Sequence, residues 1–125
     1  MIRIVFAALF VAAASWAHAA QVLYVSPDGN DAWSGRYSEP LADGSDGPLA
    51  TPHAARDRAR ELDRAEPITI LFRGGEYFMD ETLILTHEDA GTRAAPVHYA
   101  AASGETPIFS TGRRITDWEI DGDGR

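Results

Sequence analysis

The stretch ITILFRGGEYFMDETLIL, residues 68–85, decides how the rest of the chain is interpreted. Its apolar and β-branched residues predict strands, yet Gly74 and Gly75 interrupt the pattern after only six residues. Two glycines suit a tight two-residue hairpin. They suit a corner between two sheets equally well, because glycine adopts positive φ without steric cost. The spacing alone leaves both interpretations open.

Short extended segments lie on both sides of this stretch. The sequence predicts strands at 22–25, 68–72, 75–79, 82–86, 96–100 and 107–111. Several are apolar at consecutive positions, as in parallel sheets covered on both faces. No helix lies between the later strands to form ordinary β-α-β crossovers. Two mostly-β folds remain: a solenoid, in which each strand pairs with the next coil, and a small antiparallel β-sandwich.

The segment TPHAARDRARELDRAEP, residues 51–67, predicts the single helix. Thr51 is a suitable N-cap, Pro52 suits the first helical position, and Pro67 ends the helix. One face is a shallow apolar stripe, which we expect to lie close against another surface. Its residues are Ala55, Ala59 and Leu62. The other face alternates arginines with acids and predicts a solvated surface, on which truncation of Arg60 has little effect.

The segment between the first strand and the helix, residues 26–50, is rich in Gly, Asp, Ser and Pro and predicts a long loop. A loop of this length in a compact domain is either functional or packed by its own side chains. Trp33, Tyr37 and Leu41 are the residues that we expect to provide this packing.

The first 19 residues predict a secretory signal peptide. Arg3 supplies a positive start, residues 4–14 form an apolar run too short to span a bilayer, and Ala17 and Ala19 form a small-x-small cleavage site. We therefore expect cleavage after Ala19, export to the periplasm or the extracellular space, and a mature domain at 20–125.

Composition narrows the classes of partner. The 125-residue chain has a net charge of −8, no cysteine, and only arginine among its eleven basic residues. An acidic chain without a basic cluster is not typical of proteins that bind nucleic acid or anionic membranes. Without cysteine there are no disulfide bonds and no thiolate metal site.

Several segments, taken in order, resemble a known group of proteins. They are YVSPDGNDAWSGR, DGPLATPHAARDRAREL, ITILFRGGEYFMDETLIL and DAGTRAAPVHYAAASGETPIFSTGRRITDW. Together they resemble the N-terminal region of secreted right-handed parallel β-helix proteins of the pectate-lyase-like superfamily. That superfamily includes polysaccharide lyases and glycoside hydrolases. The similarity extends over nearly all of the mature chain.

The resemblance implies that the helix caps the open end of the first coil, and that catalytic residues lie on later coils. The chain then resembles the truncated N-terminal cap and first coils of an exported carbohydrate-active enzyme, inactive alone. Its polysaccharide or oligosaccharide partner would bind through the missing coils, and its catalytic residues are unknown. The alternative is a non-catalytic β-helix module for glycan binding or adhesion, since fold does not fix chemistry.

A search for metal sites leads to no assigned ligand. Asp28, Asn30, Asp31 and Glu39 resemble a calcium loop, but alanine and tryptophan replace its fifth and sixth residues. We therefore predict Asx-type turns here, and no cofactor or metal site. A looser calcium site is an alternative without support. Its ligands would be Asp28, Asp31, Asp43 or Asp46.

Other candidates for chemistry are scattered. His87, Glu88 and Asp89 form an acid–base cluster on paper, although a polar loop explains them equally well. His53, His87 and His98 lack metal-ligand spacing. Three aromatic residues could stack on sugar rings, although burial in the core is the commoner role. They are Trp33, Tyr77 and Trp118.

Overall fold

The computed structural model of the protein describes residues 20–113, 115–117 and 122. Its elements in chain order are β1 (Gln21–Val25), α1 (Pro52–Glu61), β2 (Ile68–Phe72), β3 (Gly75–Phe78), β4 (Val97–Ala101) and β5 (Pro107–Ser110). The protein is mostly β with a single helix in this part. These five strands and the helix confirm six of the predicted elements. The predicted signal peptide and Trp118 lie outside the described residues.

The strands form two small sheets. The first has the order β1-β2-β4, and the second consists of β3 and β5. All pairs among the described strands are parallel, with Ile68 beside Val97 and Gly75 beside Pro107. The chain therefore passes through the two sheets twice in the same order, first as β2 and β3 and then as β4 and β5. The antiparallel sandwich is wrong as an alternative.

The glycine pair forms a corner, and the hairpin interpretation is wrong because β2 and β3 belong to different sheets. Gly75 has a φ of 125°, and a Cβ atom there would lie 2.8 Å from Cγ of Pro27. Glycine is therefore required both by the backbone conformation and by the close approach of the proline. The preceding residue, Gly74, donates its amide to Oε2 of Glu105 at 2.6 Å, which ties this corner to the next one along the chain.

The interior lies between the sheets and the helix. Alternate residues of β1 and β2 point inwards, because successive side chains of a strand lie on opposite faces. The buried apolar core consists of Leu23, Val25, Leu49, Ala55, Ala59, Ile68, Ile70, Phe72 and Tyr77. Its residues come from β1, β2, β3, the helix and the long loop. The first circuit of the chain therefore shares a single core.

Helix α1 begins as predicted. Thr51 is the N-cap and accepts a hydrogen bond from the amide of Ala54, and Pro52 is the first helical residue. The predicted stripe is confirmed, with Ala55 and Ala59 buried and Leu62 packed against the core. The helix ends at Glu61, earlier than predicted from Pro67.

The early end of the helix has a local cause. The carboxylate of Asp63 accepts a hydrogen bond from the amide of Ala65, and its carbonyl accepts one from the amide of Glu66. This turn offers the backbone an alternative to continuing the helix, as short polar side chains commonly do.

The long loop covers the outer edge of β1. Tyr24 donates its amide to the carbonyl of Gly35 at 2.7 Å and accepts a hydrogen bond from the amide of Leu49 at 2.9 Å. The loop is also packed internally, because a Cβ atom at Gly47 would lie 2.6 Å from the Trp33 ring. Trp33 and Leu41 are half-buried, whereas Tyr37 is exposed. We call α1 and this loop the closed end.

The predicted strand at 82–86 is wrong for the described part of the chain. These residues belong to none of the strands there, and Ile84 and Leu85 are 62% and 51% exposed. Apolar residues at consecutive positions predicted a strand, but a strand also needs a neighbouring chain to pair with. Boundaries of the other strands differ from the predicted ones by a residue at most.

Candidate functional site

Two of the carboxylates considered as calcium ligands bind groups of the long loop and of the helix N-cap. Asp31 accepts hydrogen bonds from the amides of Ala50 and Thr51, and Asp46 accepts them from the amide and hydroxyl of Ser34. The hydrogen bonds from Ser34 hold the pKa of Asp46 below its ordinary value. Within the described ranges, no group of three or more His, Asp or Glu residues is placed to hold a metal ion. These acids shape the closed end.

The cluster His87, Glu88 and Asp89 is divided by the fold. Asp89 is buried, whereas His87 and Glu88 are exposed. Arg60 donates from Nε and Nη2 to the two carboxylate oxygens of Asp89, each at 2.7 Å. These bonds hold the pKa of Asp89 well below its usual range. The lowered pKa makes Asp89 a weak base, and both of its carboxylate oxygens already accept hydrogen bonds from Arg60, so Asp89 is a structural anion.

Arg60 was predicted to lie on a solvated face, and that prediction is wrong. Three arginines at four-residue spacing all reach the segment 84–90. Arg56 donates to the carbonyl of Ile84 at 3.2 Å, and Arg64 donates to the carbonyl of Ala90 at 2.7 Å. Arg60 lies between them and binds Asp89. We call these three arginines the arginine row. They hold the segment 84–90 against α1 and the turn that follows it.

The arginine row had a signal in the sequence. Positions separated by four residues lie on one face of a helix, so Arg56 and Arg60 share a face. The interleaved acids favoured pairing within the helix, and Arg58 does pair with Glu61 in this way. Asp89, however, lies 29 residues from Arg60 in sequence, and nothing in a local pattern indicates this contact.

A second ionic cluster fixes the glycine corner. Arg73 donates to Oε1 of Glu105 at 2.7 Å, and also binds the carboxylate of Glu39. The amide of Gly74, and then Arg73, hold the pKa of Glu105 below its ordinary value. This cluster joins the long loop to both corners. Its groups are engaged with one another, which is consistent with a structural role.

The predicted sugar-stacking residues are placed differently from one another. Tyr77 is 3% exposed, and its hydroxyl lies 2.9 Å and 2.8 Å from the carbonyl oxygens of Val25 and Arg73. It is therefore a core residue, unavailable to a sugar ring. Trp33 is half-buried in the loop, and Trp118 lies outside the described residues.

The described histidines lie on different elements of the fold. His98 is exposed on β4, and its side chain points to the side opposite the inward-facing Tyr99. His53 is half-buried in α1, and its Nε2 atom is buried without a hydrogen-bond partner among the described residues. The described residues thus do not assemble an acid–base pair from these side chains.

The most distinctive surface is an apolar groove of about 390 Å³. Its lining is almost entirely apolar: Pro52, Phe72, Met79, Leu83, Leu85, Tyr99, Ala100, Ala101, Pro107 and Phe109. Leu85 and Phe109 are both about half exposed. Isolated exposed apolar residues are ordinary, but a contiguous apolar groove marks a binding surface or an interface. We call this groove, together with the outer edges of β4 and β5, the open face.

Aromatic packing leads from the core to the open face. Phe72 contacts Tyr77, Tyr99 and Phe109 at ring-centroid distances of 5.7, 6.3 and 5.2 Å. Tyr77 stacks on Phe109 at 5.2 Å. Burial raises the pKa of Tyr99 above its ordinary value. The rings of Tyr99 and Phe109 therefore continue the hydrophobic core outwards, and the second circuit leaves this continuation uncovered.

Comparison with known proteins gave one informative match. The chain is similar to a solved structure named "Glycoside hydrolase", with 31% sequence identity and a TM-score of 0.67. The match covers 83% of this chain and 17% of that chain, so this protein spans about a sixth of its length. No family model and no curated protein matches the chain. The likeness supports a carbohydrate-active type of protein.

Proposed function

We propose that this chain is the N-terminal part of an exported carbohydrate-active protein, a glycoside hydrolase or a polysaccharide lyase. Its two passes through parallel sheets form the cap and first coils of a right-handed parallel β-helix. The observation that carries the proposal is the match to a chain named as a glycoside hydrolase, at 31% identity over most of this chain. The parallel pairing and the glycine corner are consistent with such coils.

The cap has the features that a solenoid end needs. Solenoid repeats bury their core only against neighbours, so a terminal repeat requires a different covering. The loop bonds to the outer edge of β1, and the small residues Ala55 and Ala59 let α1 approach the core closely. In this proposal, the closed end is the N-terminal cap.

Export is proposed from the sequence alone. A signal peptide at 1–19 would release a mature chain that begins at Ala20, immediately before β1 at Gln21. In the described part of the chain, no helix is long and apolar enough to cross a membrane. Intact-mass measurement of the secreted protein tests this point. Material that retains Met1 would contradict processing after Ala19.

The segment 20–125 is proposed to be inactive alone. Glycoside hydrolysis generally needs two carboxyl groups across the scissile bond, and a lyase needs a base near its substrate. The acids that the structure buries or pairs, such as Asp89 and Glu105, are engaged with arginines. Catalytic groups would then come from further coils of a longer protein.

Turnover measurements test the proposal. The mature segment and a longer chain, encoded by the reading frame through and beyond Arg125, are assayed against pectins, xylans and galactans. We expect turnover by the longer chain and none by the segment. Turnover by the segment would contradict the proposal that the catalytic groups lie outside it. A longer chain that binds glycans without cleaving them would favour the non-catalytic binding module instead.

A further inference from the structure

A second groove lies at the closed end, beside the start of β1. It has a volume of about 420 Å³, and its lining combines apolar and polar groups from β1, from the long loop and from the residue that follows α1. Pockets that bind small molecules commonly have such a lining, with a few polar groups that converge on the ligand. We call it the cap groove, and its lining includes Ala20, Gln21, Val22, Tyr24, Arg36 and Leu62.

Arg36 brings a positive charge to the cap groove. Its side chain is exposed, and its guanidinium makes neither a hydrogen bond nor an ion pair with the described residues, whereas Arg60 and Arg73 are engaged with carboxylates. The charge of Arg36 reaches Asp46, but both carboxylate oxygens of Asp46 already accept hydrogen bonds from Ser34. Arg36 is therefore available to a carboxylate from outside, which a guanidinium binds through two parallel hydrogen bonds.

Val22 adds a backbone donor to the same groove. Gln21 donates its amide to the carbonyl of Pro67 on the β2 side, whereas Tyr24 donates its amide to Gly35 on the outer side. Val22 lies two residues before Tyr24, so its amide also points to the outer edge, where the described residues offer it no partner. Backbone amides need a hydrogen-bond partner, and outward-pointing ones commonly donate to anions.

Two other side chains suit the ring and the hydroxyl groups of a sugar. Tyr24 is half-buried, so part of its ring faces solvent, and its hydroxyl bonds none of the described residues. The side chain of Gln21 is held by a hydrogen bond from Nε2 to the carbonyl of Asp63 at 2.8 Å. This bond leaves the side-chain oxygen of Gln21 free to accept from a ligand. A tyrosine beside polar groups suits a ligand that is apolar on one face and polar at its edge.

Processing would add a second positive charge. Ala20 lines the cap groove and is the first residue of the mature chain proposed above. A free α-amino group is mostly protonated at neutral pH, because its ordinary pKa is about 8. Removal of the residues before Ala20 would therefore create an ammonium group beside Arg36. This role of Ala20 rests on the proposed processing after Ala19.

We propose that the cap groove binds one uronic acid unit of an acidic saccharide. Arg36 and the amide of Val22 hold the carboxylate. Tyr24 contacts the sugar ring, and the side-chain oxygen of Gln21 accepts a hydrogen bond from a hydroxyl group. In the processed chain, the ammonium group of Ala20 adds attraction for the carboxylate. The carbohydrate nature of the ligand rests on the proposed function, whereas its charge follows from the groove.

Matched pairs of small sugars test this chemistry. The mature protein, in the longer chain described above, is titrated with methyl galacturonoside and methyl glucuronoside, and with the neutral methyl galactoside and methyl glucoside. We expect the preferred acidic sugar to bind at least about tenfold more tightly than its neutral counterpart. The preference between the two acidic sugars then identifies the kind of uronic acid. Equal binding of acidic and neutral sugars, or equally tight binding of acetate, would overturn the inference.

Two arginines provide a matched pair of variants. Arg36→Gln removes a charge from the groove, and Arg93→Gln removes the same charge from an exposed position outside its lining. We expect Arg36→Gln to weaken binding of the preferred acidic sugar at least about tenfold, and Arg93→Gln to weaken it less than about twofold. Equal losses in the two variants would overturn the inference. Both side chains are exposed, so both variants should unfold at the temperature of the wild type.

Hydrogen exchange locates the ligand. With a saturating concentration of the preferred acidic sugar, we expect the Val22 amide to exchange at least about fivefold more slowly in the wild type and to be unchanged in Arg36→Gln. The Tyr24 amide, which is already bonded to Gly35, is the internal reference and should not change. Protection elsewhere without protection at Val22 would overturn the inference.

Acetylation of the α-amino group isolates the role of processing. We expect a chain with acetylated Ala20 to bind the acidic sugar about threefold more weakly than the chain with a free amino group. Equal affinity would overturn the assignment of Ala20 to the site. Binding by a longer chain that lacks glycan turnover would support the site and contradict only the proposed activity. Turnover without binding in the cap groove would overturn only the site.

Discussion

The two outer edges of the first sheet are treated in opposite ways. At the closed end, β1 is bonded to the loop through Tyr24, and Leu23 and Val25 are almost inaccessible. At the open face, β4 has no further strand beside it in the described residues, and the neighbouring Phe109 is half exposed. The closed end is finished by segments that do not repeat, whereas the open face presents repeating strands.

The largest expected difference comes from the same substitution at the two ends. Leu23→Ala should lower the free energy of unfolding by about 2–5 kcal/mol, since it leaves a cavity at a site that is 1% exposed. Leu85→Ala should lower it by about 0.5 kcal/mol or less, because Leu85 is 51% exposed. Urea denaturation of residues 20–125 at low protein concentration measures both. Similar losses would mean that Leu85 is already covered in the free segment.

The next largest loss of stability is expected when the contact between the arginine row and Asp89 is removed. Asp89→Ala should lower the free energy of unfolding by about 2–3 kcal/mol, because Arg60 and the amide of Thr86 lose a charged partner. Asp57→Ala is the control, since Asp57 is exposed and should contribute about 0.5 kcal/mol or less. Equal effects of Asp89→Ala and Asp57→Ala would show that Asp89 does not anchor the segment 84–90.

The same contact gives a pH dependence. The pKa of Asp89 is lower in the folded protein than in the unfolded chain, so its stabilisation is present above the unfolded pKa and is lost as the pH falls from about 4 towards the folded pKa. We expect the wild type to lose more stability on acidification than Asp89→Ala does. Denaturation midpoints between about pH 5 and 2 measure this, and parallel curves would contradict it.

At the closed end, the close packing of α1 against the core should not accommodate a larger side chain at Ala59. Ala59 is 3% exposed against the core, so Ala59→Arg should cost about 1–3 kcal/mol through overpacking or a buried charge. Ala65→Arg places the same side chain at an exposed position after the helix and should be nearly neutral. Thermal unfolding of the two variants compares them. A neutral Ala59→Arg would mean that α1 does not seal the core.

The smallest expected effect concerns Tyr77, which links both regions. Tyr77→Phe removes the donor shared by the carbonyls of Val25 and Arg73 and should cost about 1 kcal/mol at neutral pH. Burial raises the pKa of Tyr77 to about 12. Its contribution is therefore present below the unfolded pKa near 10 and is lost as the pH rises towards the folded value. Alkaline unfolding curves should be flatter for Tyr77→Phe than for the wild type.

Local patterns predicted most of the elements but not the contacts between them. The strand at 68–72, the cap at Thr51 and the alanine stripe are local features, so they are readable from neighbouring residues. The arginine row was misassigned, because its partners at 84–90 become neighbours only after the chain has completed a circuit. The strand at 82–86 was predicted wrongly, because its apolar residues indicate a tendency to form extended backbone. They do not indicate whether a neighbouring strand is present.

The candidate surface was predicted in part. The strand at 107–111 was predicted, and Ile108 and Phe109 are about half exposed there. The contribution of Met79, Leu83 and Leu85 to the groove was not predicted, because the sequence placed these residues in strands. The acid–base cluster at 87–89 was separated by burial and charge pairing, which depend on where Arg60 lies in space.

The sequence by itself determined the short strands, their turns, the start of one helix and a mostly-β fold. These depend on side-chain alternation, capping and the conformational freedom of glycine, all of which act over a few residues. Only the tertiary structure decided between the hairpin and the corner at Gly74 and Gly75, and between parallel and antiparallel pairing. Those choices depend on hydrogen bonds between strands whose paired residues lie about 30 to 50 positions apart, which a local pattern does not encode.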